Sequence, residues 1–392
     1  MNVIIHRGQN QIGGNIIEIT AENTRILLDV GLELDQEEGT LPEIDGLFDH
    51  PSFDAVFISH YHGDHLGLAY YIDNRIPLYI GEASYRIVKA ADDYKGLESI
   101  TPSGFLRHLQ PIAVGSITVT PFLCDHSAFD SYMLLCEADG EKLLYTGDFR
   151  SNGRKSFDRL LHALPNKVDK LICEGTTLSR NAQTPLREAD LEEQAVAEFR
   201  NATGPIFVLQ SSTNIDRIVT MYRAAKRSGR VFLQEVYMAD VTSAIGGSIP
   251  NPSFDDVYAF LTNPKRHDAL VKYRRMGKER MAKTPFVMCV RSSMLRYLKG
   301  LAKLMSFEGG LLVYSMWNGY RQQPAMSRFI AECEGMGLKV VPLHTSGHAD
   351  PDTIRALIES VHPNEILPVH TENAGWFANT TSSDQLVRED KE

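Results

Sequence analysis

Short apolar segments separated by turn residues run through residues 1–150 of the chain. These segments are too short for typical helices, and Gly, Pro, Asn and Asp stand between them, as they do between the strands of packed sheets. We therefore predict a series of short strands here, with the sequences NVIIH, GNIIEIT, TRILLDV, DAVFISH, IPLYIG, GSITVTPF, SYMLLCEA and EKLLYTGD.

The pattern changes after about residue 179, where strand-like runs alternate with helical ones. In TPLREADLEEQAVAEF, Leu191, Ala195 and Phe199 recur every four residues and predict a helix with one apolar face. Repeated alternation of strand and helix predicts a parallel α/β sheet of the open, doubly wound kind. Further helices are predicted after residue 237 and over 214–228, 292–304, 325–334 and 351–361, and a polar, frayed end is predicted for the last dozen residues.

This change of pattern divides the chain into one domain interrupted by another. We predict that residues 1–178 and 340–392 form the first domain and that residues 179–339 form the insert. A chain of 392 residues is long enough for two such domains.

Composition and charge narrow the class of protein. With 43% hydrophobic and 23% charged residues, the chain is typical of a globular protein. The net charge of −10 argues against a protein that coats nucleic acid indiscriminately, but it is compatible with a local basic groove. Five scattered cysteines, none in a CxxC pair, indicate reduced core thiols. Without a predicted signal peptide or membrane-spanning run, we expect a cytoplasmic protein that does not contact membranes.

The densest group of titratable residues lies in FISHYHGDHLG, residues 57–67. It places His60, His62, Asp64 and His65 within six residues, at the end of an apolar strand. Loops at strand ends allow ligands to converge, imidazole suits Zn²⁺, and a carboxylate can bridge two ions. A solvated polar turn is the alternative interpretation, but this density of histidine in a chain with 13 favours a metal site.

Two further strand ends supply His126, in PFLCDHSAF, and Asp148, in LLYTGDFR. Alone, either residue has a plain explanation as a loop or turn residue. Together with the first cluster, their order along residues 1–150 resembles that of the metallo-β-lactamase superfamily. This resemblance implies an αββα sandwich with a dinuclear metal site. Asp29, in ILLDVG, resembles the supporting aspartate of that superfamily, and it is equally compatible with a simple turn.

The remainder of the chain resembles the β-CASP branch of this superfamily, and most of all its ribonuclease J-like proteins. The long insert carries this resemblance together with Glu174 in LICEGT, His348 in TSGHAD and His370 in LPVHTE. It implies RNA rather than DNA as substrate, because a histidine at the third position accompanies RNA-acting members. Larger members carry a further C-terminal domain linked to dimerisation, so a homodimer stays open here.

Two strand–turn–helix junctions are candidate phosphate sites. SSTN precedes the predicted helix 214–228, and SGHAD precedes the helix 351–361. Free N–H groups and the dipole at a helix N-terminus attract phosphate. Helix capping is an equal alternative for Thr213, and a structural role is the alternative for His348 and His344. The predicted phosphate contacts are Ser212, Thr213, Asn214, Ser346 and His348.

Basic residues cluster in the insert despite the negative net charge. Residues 265–283 carry a net charge of +6, and Arg217, Arg223, Lys226, Arg227 and Arg230 form a second group. Solvated helix faces are the default interpretation, but in a nuclease such a surface would follow a phosphodiester backbone. Tyr273, Tyr297, Tyr314, Trp317 and Tyr320 could stack bases, although core packing is the simpler expectation for most of them.

Residues and resemblance together predict a metal-dependent hydrolase, a ribonuclease that cleaves single-stranded RNA with a hydroxide activated by two metal ions. The expected ions are Zn²⁺, with Mn²⁺ as the alternative. Asp64 would accept a proton, His348 would bind the scissile phosphate or protonate the leaving oxygen, and Glu174 would orient a histidine. The predicted metal ligands are His60, His62, Asp64, His65, His126, Asp148 and, by resemblance, His370, with Asp148 bridging.

Two other functions remain as alternatives. The first is a hydrolase of small esters, thioesters or lactones from the same superfamily, which the long basic insert disfavours. The second is a non-catalytic RNA-binding relative, which the full set of ligands disfavours. The sequence does not separate exonuclease from endonuclease action.

Overall fold

The computed structural model describes residues 1–34, 41–179, 185–263, 267–380 and 386–387. These form two compact units, Met1–Pro185 with Gly347–Glu392, and Leu186–Ser346. The sequence-based domain bounds, 178/179 and 339/340, each lie seven residues before the bounds of these units. The sequence-based bounds stay a prediction. Three predicted features lie partly or wholly outside the described residues. They are the start of the helix predicted from TPLREADLEEQAVAEF, the basic residues 265 and 266, and most of the polar end.

The first unit contains two mixed sheets. The first sheet has the order β1-β2-β3-β4-β5-β6, antiparallel from β1 to β3 and parallel beyond, with strands Asn2–Arg7, Ile16–Ala21, Thr24–Val30, Ala55–Phe57, Leu78–Gly81 and Gly104–Leu106. The second has the order β19-β18-β11-β10-β9-β8-β7, with β7 Ile112–Val114, β8 Ile117–Cys124, β9 Ser131–Ala138, β10 Glu141–Tyr145, β11 Lys170–Glu174, β18 Glu365–Val369 and β19 Leu386–Val387.

These two sheets pack face to face and share one apolar core. Ile17, Leu28 and Phe57 of the first sheet lie in the same buried cluster as Leu134 and Tyr145 of the second. On the opposite face of the second sheet, a further cluster includes side chains of three helices. The helices of this unit are α1 Gly63–Leu66, α2 Glu82–Lys95, α3 Phe157–Ala163, α11 Pro351–Val361 and α12 Gly375–Thr380. Side chains of α3, α11 and α12 contribute to that second cluster. Of these helices, the sequence predicted only α11.

Helix α11 follows directly from its sequence. The Asp350 carboxylate accepts a hydrogen bond from the Thr353 amide at 2.9 Å, and Pro351 occupies the first turn, where a missing N–H costs nothing. The predicted apolar stripe is buried; it consists of Ile354, Leu357, Ile358 and Val361. The helix therefore covers the second sheet while its N-terminus follows His348.

The second unit contains a six-stranded, fully parallel sheet of order β14-β13-β15-β12-β16-β17. Its strands are β12 Ile206–Leu209, β13 Val231–Glu235, β14 Val257–Phe260, β15 Phe286–Val290, β16 Leu311–Tyr314 and β17 Lys339–Pro342. Its helices are α4 Glu188–Asn201, α5 Ile215–Arg227, α6 Val236–Ile245, α7 His267–Val271, α8 Lys278–Met281, α9 Leu295–Leu301 and α10 Pro324–Gly335, with 3-10 turns at Ser292–Met294 and Asn318–Gln322.

The predicted fold class, a metallo-β-lactamase-type sandwich with an inserted parallel α/β sheet, is confirmed by these two architectures. Strands β12, β15 and β16 of this sheet are buried on both faces, which explains their continuous apolar runs. All five cysteines are free and buried. Among the described residues, no helix has both the length and the apolar character needed to cross a bilayer.

Candidate metal centre

Four of the predicted ligands leave strand β4 in quick succession. His60 lies in the segment after the strand, and His62 is the residue that precedes helix α1. Asp64 and His65 lie on that one-turn helix, so the two pairs stand on different backbone elements. His60 and His65 are completely buried.

The first group of ligand atoms comes from His60, His62, His126 and Asp148, whose nitrogen and carboxylate atoms all lie within 4.8 Å of one another. His62 Nδ1 is 3.1 Å from His126 Nε2. Asp148 Oδ2 lies 3.7 Å from His60 Nε2 and 3.8 Å from His126 Nε2. Three strand ends, those of β4, β8 and β10, thus meet at one point.

A second group contains Asp64, His65 and His370. His370 Nε2 is 3.1 Å from Asp64 Oδ2 and 3.9 Å from Asp148 Oδ1. His65 Nε2 lies 3.3 Å from Asp148 Oδ2. Asp148 therefore stands beside both groups, with one oxygen toward His370 and the other toward the remaining histidines.

Glu174 and His348 lie next to these groups, and with Asp148 and His370 they form a third set of ligand atoms within 4.8 Å. His348 Nδ1 is 3.3 Å from both Glu174 carboxylate oxygens and 3.6 Å from Asp148 Oδ2. Glu174 is completely buried and accepts hydrogen bonds from the amides of Phe149 and Thr176. The backbone therefore holds the carboxylate that faces His348.

Three of the histidine rings near Asp148 have a second partner on their other nitrogen. His65 Nδ1 contacts Asp29 Oδ2 at 2.7 Å, His126 Nδ1 contacts the Gly347 carbonyl at 2.6 Å, and His370 Nδ1 contacts Thr176 Oγ1 at 2.7 Å. Such outer contacts fix the orientation and tautomer of ligand histidines. They leave the Nε2 atoms directed toward the centre.

Asp29 is part of this support. It is fully buried at a left-handed φ of +60°, and its carboxylate accepts hydrogen bonds from the Ser59 amide, the Ser59 hydroxyl and the Tyr145 hydroxyl as well as contacting His65. The alternative of a simple turn residue does not account for these four contacts.

Sequence reasoning missed a buried ion pair that connects two ligand-bearing strand ends. Arg150 Nε donates to Asp125 Oδ1 at 2.6 Å, and the Arg150 amide donates to the Asp125 carbonyl at 2.8 Å. Asp125 precedes His126 and Arg150 follows Asp148 by two residues. Their only signal in the sequence is this proximity to predicted ligands, since an ordinary turn also accommodates an aspartate and an arginine.

The centre contains buried polar atoms that no protein group satisfies. His60 Nε2, His65 Nε2 and both carboxylate oxygens of Asp148 are buried without a hydrogen-bond partner. Buried polar atoms are nearly always paired, so four such atoms at one point are exceptional. Imidazole nitrogen and carboxylate oxygen are donors for Zn²⁺ and similar ions. The donor set therefore fits a metal centre.

The protonation states of three of the histidines agree with that chemistry. Burial lowers the pKa of His62 to about 4 and the pKa values of His60 and His126 well below the ordinary value. These imidazoles are neutral at pH 7, as ligands must be. His65 differs: burial lowers its pKa, but the carboxylates of Asp148 and Asp29 outweigh burial and hold the pKa of His65 well above its ordinary value. Burial opposes ionisation of Asp148, but the nearby charges of His370, His65 and His348 hold its pKa well below the usual range.

Two further groups carry charge at neutral pH. Burial disfavours the Asp64 carboxylate, but its hydrogen bond with His370 and the charge of His65 bring the pKa of Asp64 well below its ordinary value. Burial likewise disfavours charged His348, yet Glu174 and Asp148 raise the pKa of His348 to about 9. An anionic carboxylate and a cationic imidazole thus coexist at the same centre.

The structure brings all seven predicted metal ligands, Glu174 and His348 together in the first unit. The other predicted phosphate contacts lie in the second unit. Asn214 is the N-cap of α5 and its side chain accepts from the Arg217 amide at 3.1 Å, so the cap is Asn214 rather than Thr213. Ser212 lies in the turn before it, and Ser346 ends the unit. Their binding of phosphate stays a prediction.

The second basic group requires a correction. Arg217 is fully buried and paired with Glu188 at 3.0 Å, so it belongs to the core and not to a basic surface. Arg227 pairs with Glu193 at 2.6 Å, and Arg230 donates to the carbonyls of Ala202 and Gly204. The periodicity of α5 did not reveal these partners, because they come from other elements.

Comparisons with known proteins define the class. Residues 10–167 match the model of the Metallo-beta-lactamase superfamily, and residues 336–382 match that of the Zn-dependent metallo-hydrolase RNA specificity domain. The first match contains six of the seven predicted metal ligands, and the second contains His348 and His370. These two segments are therefore similar to a metallo-β-lactamase domain and to an RNA specificity domain of Zn-dependent metallo-hydrolases.

Individual relatives confirm the predicted resemblance to ribonuclease J-like proteins. The chain is 23% identical over 414 residues to Ribonuclease J of Thermus thermophilus, covering 96% of the chain and 70% of the relative. It is 22% identical over 398 residues to Ribonuclease J of Helicobacter pylori, covering 93% of the chain and 55% of the relative. The chain thus spans between about half and about two thirds of the length of these relatives.

A solved structure supports the fold. The crystal structure of a protein of unknown function from Enterococcus faecalis V583 matches with a TM-score of 0.78 and 22% identity, covering 100% of this chain and 97% of the other. At this identity the likeness extends to the fold alone.

Proposed function

We propose that the protein is a ribonuclease that hydrolyses the phosphodiesters of single-stranded RNA at the metal centre. One observation carries the proposal: the residues that match an RNA specificity domain, 336–382, include two members of the centre itself. His348 lies 3.6 Å from Asp148, and His370 lies 3.1 Å from Asp64. The part of the chain related to RNA specificity therefore contributes directly to the proposed reaction site.

The centre would hold two divalent cations, Zn²⁺ or Mn²⁺. His60, His62, His126 and Asp148 would bind one, and Asp64, His65, Asp148 and His370 the other. The unsatisfied atoms of His60, His65 and Asp148 support this assignment. When bound, such ions supply a nucleophilic water at neutral pH and offset charge on the phosphoryl oxygens.

The side chains of the protein would carry the proton transfers. Asp64 is ionised at neutral pH and accepts the proton that the attacking water loses. His348 is protonated at neutral pH, binds a phosphoryl oxygen and gives its proton to the leaving O3′ as the P–O3′ bond breaks. The products are then a 5′-phosphate end and a 3′-hydroxyl end.

Glu174 would act on His348 and not on the substrate. Its carboxylate faces His348 Nδ1 and is held by two backbone amides. This contact orients the ring and stabilises its charge. Ser212, Thr213, Asn214 and Ser346 of the second unit would bind backbone phosphates of RNA. The N-terminus of α5 supports this for the first three.

The first test uses purified protein with its metal content quantified. Single-stranded RNA with a 5′-monophosphate or a 5′-hydroxyl end, and DNA of the same sequence, are incubated with the protein and with His62→Ala. We expect cleavage of RNA, with loss of cleavage and of bound metal in the variant. RNA that stays intact while two metals are bound and small esters are hydrolysed contradicts the proposal.

A second test separates the role of His348 from metal binding. We expect His348→Ala to keep its metal content and to lose RNA cleavage, because the ring supplies a proton and a phosphate contact. Cleavage at the normal rate with normal metal content would show that His348 has neither role.

A further inference from the structure

Two large aromatic side chains of the second unit are exposed side by side. Trp317 and Tyr320 have 45% and 40% of their surface accessible, and their ring centroids are 5.3 Å apart at an interplanar angle of 88°. The neighbouring Tyr314 is buried, as expected for a core residue. Core packing, which is expected for most of the five aromatic residues, does not describe this pair, and the exposure of the pair requires another explanation.

The backbone holds the two rings in place. Trp317 precedes the 3-10 turn Asn318–Gln322, and its carbonyl accepts hydrogen bonds from the Tyr314 hydroxyl at 2.8 Å and from the Tyr320 amide at 3.2 Å. The indole lies over Gly319, where an added Cβ would lie only 2.3 Å from two ring atoms. Only glycine at position 319 allows the indole this position, so the local sequence fixes the arrangement of the pair.

The surroundings of the pair are polar and suited to a nucleotide. The pair follows β16, which lies between β12 and β17, and all three strands are parallel. Their carboxyl ends therefore share one edge, where open α/β sheets bind ligands. The hydroxyl-rich turn Ser211–Asn214 follows β12 at that edge, and β17 lies within the residues that match an RNA specificity domain. Arg321 adds a cation next to Tyr320, with its guanidinium 5.2 Å from the Tyr314 ring.

We infer that Trp317 and Tyr320 form a stacking platform for a nucleobase of single-stranded RNA, an inference that rests on the proposed function. Base stacking on aromatic rings is tolerant of sequence and requires accessible aromatic surface. Trp317 and Tyr320 offer such surface, with 45% and 40% of their area accessible. Two rings are far too small for a stable protein interface, which argues against a protein as the occupant. The platform would hold a base while the hydroxyl turn binds the backbone.

Tryptophan fluorescence tests this platform, because the chain contains only two tryptophans, Trp317 and Trp376. In a Trp376→Phe background, the emission of Trp317 is followed during titration with an oligoadenylate whose linkages are all phosphorothioate and resist cleavage. An abasic oligomer with the same backbone provides the matched ligand control. We expect quenching by the oligoadenylate and none by the abasic oligomer.

Affinity for the oligoadenylate supplies the second readout. We expect Trp317→Ala to raise Kd about tenfold, within the range of single stacking contacts, and Trp317→Phe to restore most of the affinity. Leu304→Ala, which removes another exposed apolar side chain of this unit, is the matched control. Equal quenching by the abasic oligomer, binding without quenching, or wild-type affinity in Trp317→Ala each overturns the inference.

The two proposals fail in distinguishable ways. RNA that quenches Trp317 but is never cleaved contradicts the ribonuclease and leaves the platform standing. RNA that is cleaved normally, with the same affinity for wild type and Trp317→Ala, contradicts the platform alone.

Discussion

Both units bury charged side chains, but the hydrogen bonding of these side chains differs between the units. In the first unit, both carboxylate oxygens of Asp148 are buried without a hydrogen bond, next to the equally unsatisfied Nε2 atoms of His60 and His65. In the second unit, the guanidinium of Arg217 is fully buried and surrounded by acceptors. These are the carboxylate of Glu188 at 3.0 Å, the hydroxyl of Ser315, and the carbonyls of Leu343 at 3.4 Å and Thr345 at 3.5 Å.

This difference separates a site from a structural network. Buried charge is costly unless it is paired, so the contacts of Arg217 are those of a residue that holds α4, α5 and the ends of β16 and β17 together. The atoms of His60, His65 and Asp148 at the metal centre lack hydrogen bonds, and a bound cation would satisfy them. A buried charge does not by itself indicate a functional site. Buried polar atoms that lack hydrogen-bond partners, as at Asp148, do indicate one.

The largest expected effect comes from Asp148→Asn, which removes the charge shared by the groups of the metal centre and keeps the shape of the side chain. We expect bound metal to fall and RNA cleavage to drop more than about 100-fold, beyond the loss seen for residues that only support ligands. Metal quantification and cleavage kinetics on the same preparation measure both. Glu359→Gln, an exposed carboxylate on α11, is the control and should retain both properties.

Arg217→Met tests whether the buried ion pair of Arg217 and Glu188 stabilises the second unit. It leaves Glu188 buried without its cation, so we expect the second unit to lose roughly 3–5 kcal/mol of unfolding free energy. Hydrogen exchange of the α5 amides measures this, and bound metal per folded molecule should stay unchanged. Arg223→Met, on the same helix with a side chain 54% exposed, is the control. Equal exchange rates in both variants would mean that the buried pair is not structural.

Glu174→Gln tests the pH dependence of the centre. The pKa of His348 is raised to about 9 from an ordinary 6.5, so its charge persists through neutral pH and is lost as the pH rises through about 9. Cleavage that needs this proton should decline on that alkaline side. Without the Glu174 charge, the decline should move to lower pH, which a pH–rate profile detects. An unmoved alkaline limb would contradict the pairing of Glu174 with His348.

Asn214→Ala should have the smallest effect. Its side chain caps α5 through the Arg217 amide, and loss of such a cap costs about 1 kcal/mol. A shift in the denaturation midpoint of the second unit measures this loss. Asn201→Ala, at the exposed end of α4, should leave the midpoint nearly unchanged. Equal midpoints for both variants would show that α5 does not depend on this cap.

The sequence by itself determined the features that are local along the chain. His60, His126 and Asp148 each follow an apolar run, so their places at strand ends were readable from pattern and residue type. The stripe and cap of α11 were likewise predictable, because a helix displays its apolar face through spacing of three and four residues. The parallel sheet of the insert followed from the alternation of strand and helix.

Tertiary structure alone decided which of these residues work together. Asp29 was equally compatible with a turn, and only the packing of β3 beside β4 brings it to His65, 36 residues away. The sequence suggested that Arg217 is a surface cation, but the structure surrounds it with Glu188, Ser315 and Thr345. The sequence left open which of five aromatic residues pack in the core, and Trp317 is exposed. In each case the deciding contact joins residues from different elements, and its partners depend on how sheets and helices pack, which no local pattern encodes.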